Sequence, residues 1–234
     1  LTRSGGSMGI GFAIPANLVA RFVEQAEAGV TSFQRPWAGI TGQAVDAGLA
    51  EGFGLTRPEG VVISALHPAS PYAAAGLQAG DVVVAIDGLP VNTPHEMLFR
   101  MSVAGIGGRL QVEYLRDGRS SSASVPMIAA PETPPRDVRR IGGRGPLAGL
   151  EVANINPAVI AEAGLPMTAE GVIVTAVSGY AARVGLKPGD ILVEINGAPV
   201  TATADVARAA RANAALWTVV LVRDGQQSVL RVRV

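Results

Sequence analysis

The 234-residue chain has no cysteine. No disulfide, thiolate zinc site or cysteine nucleophile can form in it, although this absence identifies no compartment. Aromatic residues make up only 4%, so any core must be assembled from Val, Ile, Leu and Ala. An excess of charge is missing too. Nineteen Lys and Arg balance nineteen Asp and Glu, leaving no net field to attract nucleic acid or an anionic membrane surface. Long hydrophobic runs are absent: Gly60–Leu66 and Leu216–Val222 are far too short to span a bilayer and read as buried strands. Only two histidines occur, His67 in a turn and His95 in a first helical turn. Neither has partners at ligand spacing, so no metal site is expected, and no cofactor is implied. The first residue is Leu, and no basic segment followed by an apolar one precedes the structured part, which reads as an internal portion of a longer chain.

The N-terminus holds two tempting motifs. Ser4-Gly5-Gly6 resembles the surroundings of a serine nucleophile, and Gly6-Ser7-Met8-Gly9-Ile10-Gly11 resembles a glycine-rich phosphate loop. A serine triad needs a base within hydrogen-bond reach and a third group orienting that base. The N-terminal segment contains no histidine, and only three residues precede Ser4. The glycine order is G-x-x-G-x-G with no strand before it and no Gly-Lys-Ser/Thr after it, so it is not a phosphate loop. No catalytic residue is assigned.

The strongest signal is a repeat. Gly76–Val91 (GLQAGDVVVAIDGLPV) returns as Gly185–Val200 (GLKPGDILVEINGAPV), an offset of 185 − 76 = 109 residues. Glu59–Ile63 matches Glu170–Val174, and Arg116-Asp117-Gly118 matches Arg223-Asp224-Gly225. Ordered matches at a nearly constant offset mean two copies of one domain. Each copy reads as mostly β. Val82–Asp87 and Ile191–Asn196 are short β-branched strands ending in Asp-Gly or Asn-Gly, which supply the positive φ of tight turns. Leu110–Arg116 with Ser120–Met127, and Trp217–Arg223 with Gln226–Val234, read as hairpins. Helices are expected at Ser70–Ala75, Pro94–Met101, Tyr180–Val184 and Thr203–Ala212. Between the copies, residues 129–145 are rich in Pro, Gly and Arg (Arg136, Arg139, Arg140, Arg144) and predict an extended, solvated linker rather than a charged binding patch.

The repeated Gly-Leu-x-x-Gly-Asp stretch, with its Ile-Asp/Asn-Gly-x-x-Val continuation, resembles the PDZ domain as bacterial proteases carry it. Residues 4–19 (SGGSMGIGFAIPANLV) resemble the last strand and exit helix of the trypsin-like domain in HtrA/Deg serine proteases. That order, together with Asn156-Pro157-Ala158 and Gly164-Leu165-Pro166, is similar to the Do (DegP/DegQ-like) branch. The resemblance implies an α+β, mostly β chain: a protease-domain remnant at 1–32, a first PDZ domain at 33–130, a linker at 131–144 and a second PDZ domain at 145–234. Each domain is expected to be a small, partly open β-barrel or sandwich capped by two helices. The resemblance also implies a periplasmic location and a serine endopeptidase parent. Implied partners are peptide C-termini or unfolded segments, the parent's own protease domain and further copies of the protein.

In this family, peptides add as a strand at an edge behind a glycine loop. On the first copy the loop maps to Trp37, Ala38, Gly39 and Ile40, the edge strand to Ile40–Val45 with Thr41 and Gly42, and the far wall to Met97, Leu98 and Met101. Met and Leu at helical spacing also suit a plain core. The groove reading rests on loop, strand and helix occurring in family order. Trp37 reads as a cover for the loop, with a partner anchor as the alternative. On the second copy the loop is Leu147, Ala148, Gly149 and Leu150, the strand continues through Glu151 and Val152, and the helix offers Val206, Ala209 and Ala210. Those small residues fit either a wide peptide pocket or a surface closed against another domain. Assembly or spacing is the competing role. Asp81 and Asp190 look paired in sequence, but each belongs to its own copy and is expected to hold loop N–H groups.

Overall fold

The structure is a computed structural model that describes residues 14–30 and 33–234. The expected protease-domain strand and Ser4 lie outside the described residues. The chain divides into two compact units, Leu1–Ala129 and Ala130–Val234.

In the first unit α1 (Ala16–Glu27) precedes β1 (Ile40–Ala44), α2 (Ala47–Gly52), β2 (Val61–Leu66) and α3 (Pro71–Ala74). Then follow β3 (Val82–Ile86), β4 (Leu89–Pro90), α4 (Pro94–Ala104), β5 (Arg109–Arg116) and β6 (Arg119–Pro126). The sheet runs β1-β2-β3-β5-β6, with β4 on β3. The second unit has β7 (Arg139–Arg140), β8 (Leu150–Asn154), α5 (Pro157–Ala163), β9 (Val172–Val177) and α6 (Gly179–Arg183). It closes with β10 (Ile191–Ile195), β11 (Ala198–Pro199), α7 (Thr203–Ala209), β12 (Leu216–Arg223) and β13 (Gln226–Arg233). Its sheet runs β13-β12-β10-β9-β8-β7. Both sheets are open and antiparallel.

The repeat seen in sequence is also a repeat in geometry. Both copies carry a register shift in the first long strand pair, at Thr41/Gly42 and at Glu151/Val152. A second shift falls between Val83/Ala85 and Leu192/Glu194. The turns after β3 and β10 place Asp87 and Asn196 at φ 49° and 51°, each followed by a positive-φ glycine, as a tight hairpin turn of this hand requires. Helices α2 and α5 differ from expectation: each domain has a further short helix that covers the second face of its sheet. Asp46 and Asn156 cap them by accepting from Leu49 and Val159 N–H. Small separate cores form beneath them, around Val45, Ala50, Val62 and Val82, and around Ile155, Val159, Ile160 and Ile173.

The Gly-Asp of the repeat has a physical role in each copy. Asp81 is 1% exposed and takes both Arg116 Nε and Nη2 at 2.7 Å, while Arg116 Nη2 also donates to Gly76 O at 2.8 Å. Asp190, also 1% exposed, takes Arg223 Nε at 2.6 Å and Nη2 at 2.7 Å, with Gly185 O as the extra acceptor at 2.8 Å. Each carboxylate additionally accepts a loop N–H, from Gln78 or Lys187. The loop contacts match the sequence reading. The bidentate arginine from the last hairpin is what that reading missed, and it ties the α3 or α6 loop to the far strand.

The segment expected to be a linker is folded. Residues 131–144 contain β7, which joins the sheet against β8, and Ile141 enters the core. Arg136 pairs with Glu132 and Glu162, Arg139 with Asp137, and Arg140 with Glu151. The prolines lie before β7, and the carbonyls of Pro131, Pro134 and Pro135 accept from Ala158 N–H, Asn156 Nδ2 and Asn154 Nδ2, so the segment is tied to its own domain instead of forming a solvated spacer.

Arg116→Met would leave the buried Asp81 carboxylate without its partner. The variant is expected to lower the melting transition in scanning calorimetry by about 5 °C or more. Arg57→Met, which breaks an exposed pair with Glu59, should shift it by less than about 2 °C.

Candidate functional site

In the first domain a glycine loop, an edge strand and a helix meet around one cavity. Gly39 has φ +60°, and a Cβ there would stand 2.6 Å from the Trp37 ring and 3.0 Å from Ser70 Cβ, so only glycine fits. Ser70 Oγ donates to Ala38 O at 2.6 Å and His67 N–H to Gly39 O at 2.8 Å, fixing the loop carbonyls toward the α3 side. The same Ser70 Oγ accepts from Tyr72 and Ala73 N–H at the start of α3. Trp37 is half-buried over Gly39, and its ring meets His67 edge-on at 5.4 Å, matching its reading as a loop cover.

Val45 N–H donates back across the sheet to Gly60 O. By strand alternation the N–H groups of Gly42 and Ala44 point to the other edge, where β1 has no neighbour among the described residues. Beside that edge lies an apolar cavity of about 330 Å³. Ala38, Ile40, Thr41 and Gly42 line it from the loop and β1, and Met97, Leu98 and Met101 line it from α4. Val61 and Pro94, which sequence reasoning did not single out, complete the lining. Trp37 and Gly39, which the sequence also assigned to this site, are not among its lining residues. Met97 and Met101 are 3% and 1% exposed and belong to the core cluster, while Leu98 is 37% exposed at the rim. The two readings of these methionines are therefore compatible: core on one side, groove floor on the other. Long flexible thioethers can reshape such a floor around different apolar groups. His95 lies exposed on the first turn of α4.

The second domain repeats the scaffold with a different outcome at the edge. Gly149 has φ +96°, and a Cβ would meet Ser178 O at 2.1 Å. Gly149 O accepts Ser178 N–H, and Ala148 O accepts Ala181 N–H. The outer edge of β8, however, is taken by β7. Arg139 pairs with Val152 and Arg140 with Glu151. Ile141 N–H donates to Leu150 O at 2.7 Å, Gly149 N–H to Ile141 O at 2.8 Å, and Asn154 N–H to Arg136 O at 2.7 Å. Ile141, 5% exposed, joins Leu147, Leu150, Val152 and Val206 in one buried cluster, with Ala209 and Ala210 packed against it. Burying such a side chain contributes roughly 1.5–3 kcal/mol. Of the two alternatives the sequence left open here, a wide pocket or a closed surface, the edge of β8 is covered, and by the chain's own upstream residues.

Carboxylates hold that segment in place. The Arg136 guanidinium, with help from Asn156, keeps Glu132 below the usual carboxylate range. The Thr203 hydroxyl and then Arg139 do the same for Asp137, and Arg140 and then Thr175 for Glu151. A carboxylate whose pKa is depressed on folding contributes stability above its unfolded pKa, near 4, and loses it as pH falls through the folded value. Residues 136–141 are therefore expected to stay bound to β8 at neutral pH. Below about pH 4 they should loosen before the sheet does, read as faster amide exchange at Ile141 than at Leu221 of the core strand β12.

The PDZ domain family matches residues 16–127 and again residues 173–223. Probable periplasmic serine endoproteases, DegP-like, are similar over 90% of the chain. The protein from Pseudomonas fluorescens is 30% identical and that from Marinomonas sp. 32% identical, with 44% of each relative covered. The periplasmic pH-dependent serine endoprotease DegQ of Escherichia coli is 29% identical over the whole chain and 49% of its own length. The chain thus spans about half the length of the curated relatives it matches. The compartment in their names agrees with the periplasmic location that the family resemblance implies. Among solved structures, the HtrA-type protease AlgW with decapeptide aligns at 28% identity and a TM-score of 0.43, over 56% of this chain and 40% of that one. The HtrA3 PDZ domain bound to a phage-derived ligand aligns at 20% identity and 0.35, over 40% and 86%. Among the described residues no helix is long and apolar enough to cross a membrane. The chain belongs to the PDZ family, as two PDZ domains in tandem similar to those of DegP- and DegQ-like periplasmic serine endoproteases.

Proposed function

We propose that the first domain captures extended or C-terminal peptide segments by strand addition to β1, seating an apolar side chain against Met97, Leu98 and Met101. In this reading the tandem delivers unfolded protein to the serine endoprotease of a longer protein, or regulates it, and itself performs no hydrolysis. The observation that carries it is the coincidence of an open strand edge, outward Gly42 and Ala44 N–H groups and an apolar cavity of about 330 Å³ in one place. The backbone edge supplies affinity for any sequence, and the cavity supplies the preference for an apolar residue. A glycine loop without side-chain obstruction leaves room for a terminal carboxylate.

The second domain favours the other role, because its matching edge already carries β7. Contacts with the protease domain or with further copies, which set assembly size or spacing, suit it better than capture of free peptide. Static light scattering of the chain with and without peptide separates these roles, since an assembly module associates whether or not peptide is present.

A labelled peptide ending in an apolar residue is expected to bind in fluorescence polarisation, and Leu98→Asp at the exposed rim should weaken it by about tenfold, near 1.4 kcal/mol. Amidating the peptide terminus should also weaken it. Unchanged binding in both cases would remove α4 and the loop from the site.

A further inference from the structure

The second domain holds a groove with an occupant already in place. Residues 136–141 run antiparallel to β8 and end at the glycine loop, the direction and position of a peptide added to such an edge. Ile141 is at the loop: its N–H goes to Leu150 O, and its carbonyl takes the Gly149 N–H that a ligand's terminal oxygen would otherwise meet. By the repeat, the corresponding groups in the first domain are Ile40 O and Gly39 N–H. Arg139 and Ile141 pair with residues on the inner face of β8, toward α7, and Arg140 falls on the outer face against Glu151. At the far end Thr203 Oγ1, on the first residue of α7, donates to Asp137 at 2.5 Å.

The groove is also shaped for this occupant. Where the first domain has Met97 and Met101, the second has Val206 and Ala210, removing the long side chains and making room for a branched residue. Gly142 and Gly143 follow Ile141, and Gly143 at φ +110° lets the chain turn away where a free peptide would end.

We propose that Arg136–Ile141 is an internal ligand of the second PDZ domain, seating Ile141 between β8 and α7 and closing that groove until the segment is displaced. The site is a peptide site, and the built-in occupant defines its ligand: an extended chain with a branched aliphatic residue directly after a basic one. The basic residue answers Glu151, and the aliphatic one fills the space left by Val206 and Ala210. The tandem then has one groove open at rest and one held shut by its own chain.

The test uses the whole chain and the hexapeptide Arg-Asp-Val-Arg-Arg-Ile with a free carboxylate, followed by NMR at the amides of Gly149 and Asn154. These report the second domain whatever the first domain does. In the unaltered chain neither amide should move at peptide concentrations that suffice for the variant. Arg139→Pro removes the ladder N–H that pairs with Val152 while changing an exposed side chain. It should raise exchange at Asn154 and let the peptide bind there at least about tenfold more tightly than in the unaltered chain. Ile141→Ser, which empties the pocket, should do the same, with the Trp217 signal reporting that the domain stays folded. Equal binding at these amides with and without the substitutions would overturn the proposal. So would a folded Arg139→Pro or Ile141→Ser chain in which the peptide leaves both amides unmoved.

Discussion

A strand at the edge of a sheet presents a row of N–H and C=O groups that must meet some partner, and the two domains answer this need differently. Both build the edge the same way. A glycine in the left-handed region lets the loop turn, its carbonyls are held on the α3 or α6 side, and the next strand leaves with alternate N–H groups facing outward. On β8 those groups meet residues 136–141 of the same chain. On β1 no neighbour is found among the described residues. A partner joined covalently a few residues upstream is present at high effective concentration, so the second edge is satisfied locally while the first stands ready for another chain.

The rest of each domain keeps that edge in register. The buried Asp81–Arg116 and Asp190–Arg223 pairs anchor the loops that precede β3 and β10 to the last hairpin. A carboxylate at 1% exposure with a bidentate arginine tolerates neither partner alone, which accounts for the recurrence of Gly-Asp and of Arg-Asp-Gly at matching places. The difference between the copies lies in the helix opposite the edge. Methionines on α4 leave a deformable apolar floor, and valine and alanine on α7 leave space that Ile141 occupies.

Much of this was legible in the sequence. The 109-residue repeat gave the two domains, the Asp-Gly and Asn-Gly pairs gave the hairpins, and the loop, strand and helix of the first groove converge on one cavity. Less legible were the features set by contacts between residues distant in sequence. Arg116 and Arg223 were visible as part of a repeat, but their pairing with aspartates some 35 and 33 residues away has no local signature. The segment 131–144 was read as a linker because proline, arginine and glycine dominate its composition. Its strand character resides in Val138 and Ile141 alone and appears only when β8 is beside it. Helix α2 is a six-residue turn, AGLAEG, whose cap at Asp46 is its main sequence signal.

The most direct measurement is residue-resolved hydrogen exchange on the whole chain, first alone and then with a peptide ending in an apolar residue. The amides of Ile141 and Asn154 should be protected from the start. Those of Gly42 and Ala44 should exchange rapidly and become protected only when peptide is added. Protection of Gly42 and Ala44 without peptide, or rapid exchange at Ile141 and Asn154, would contradict the account.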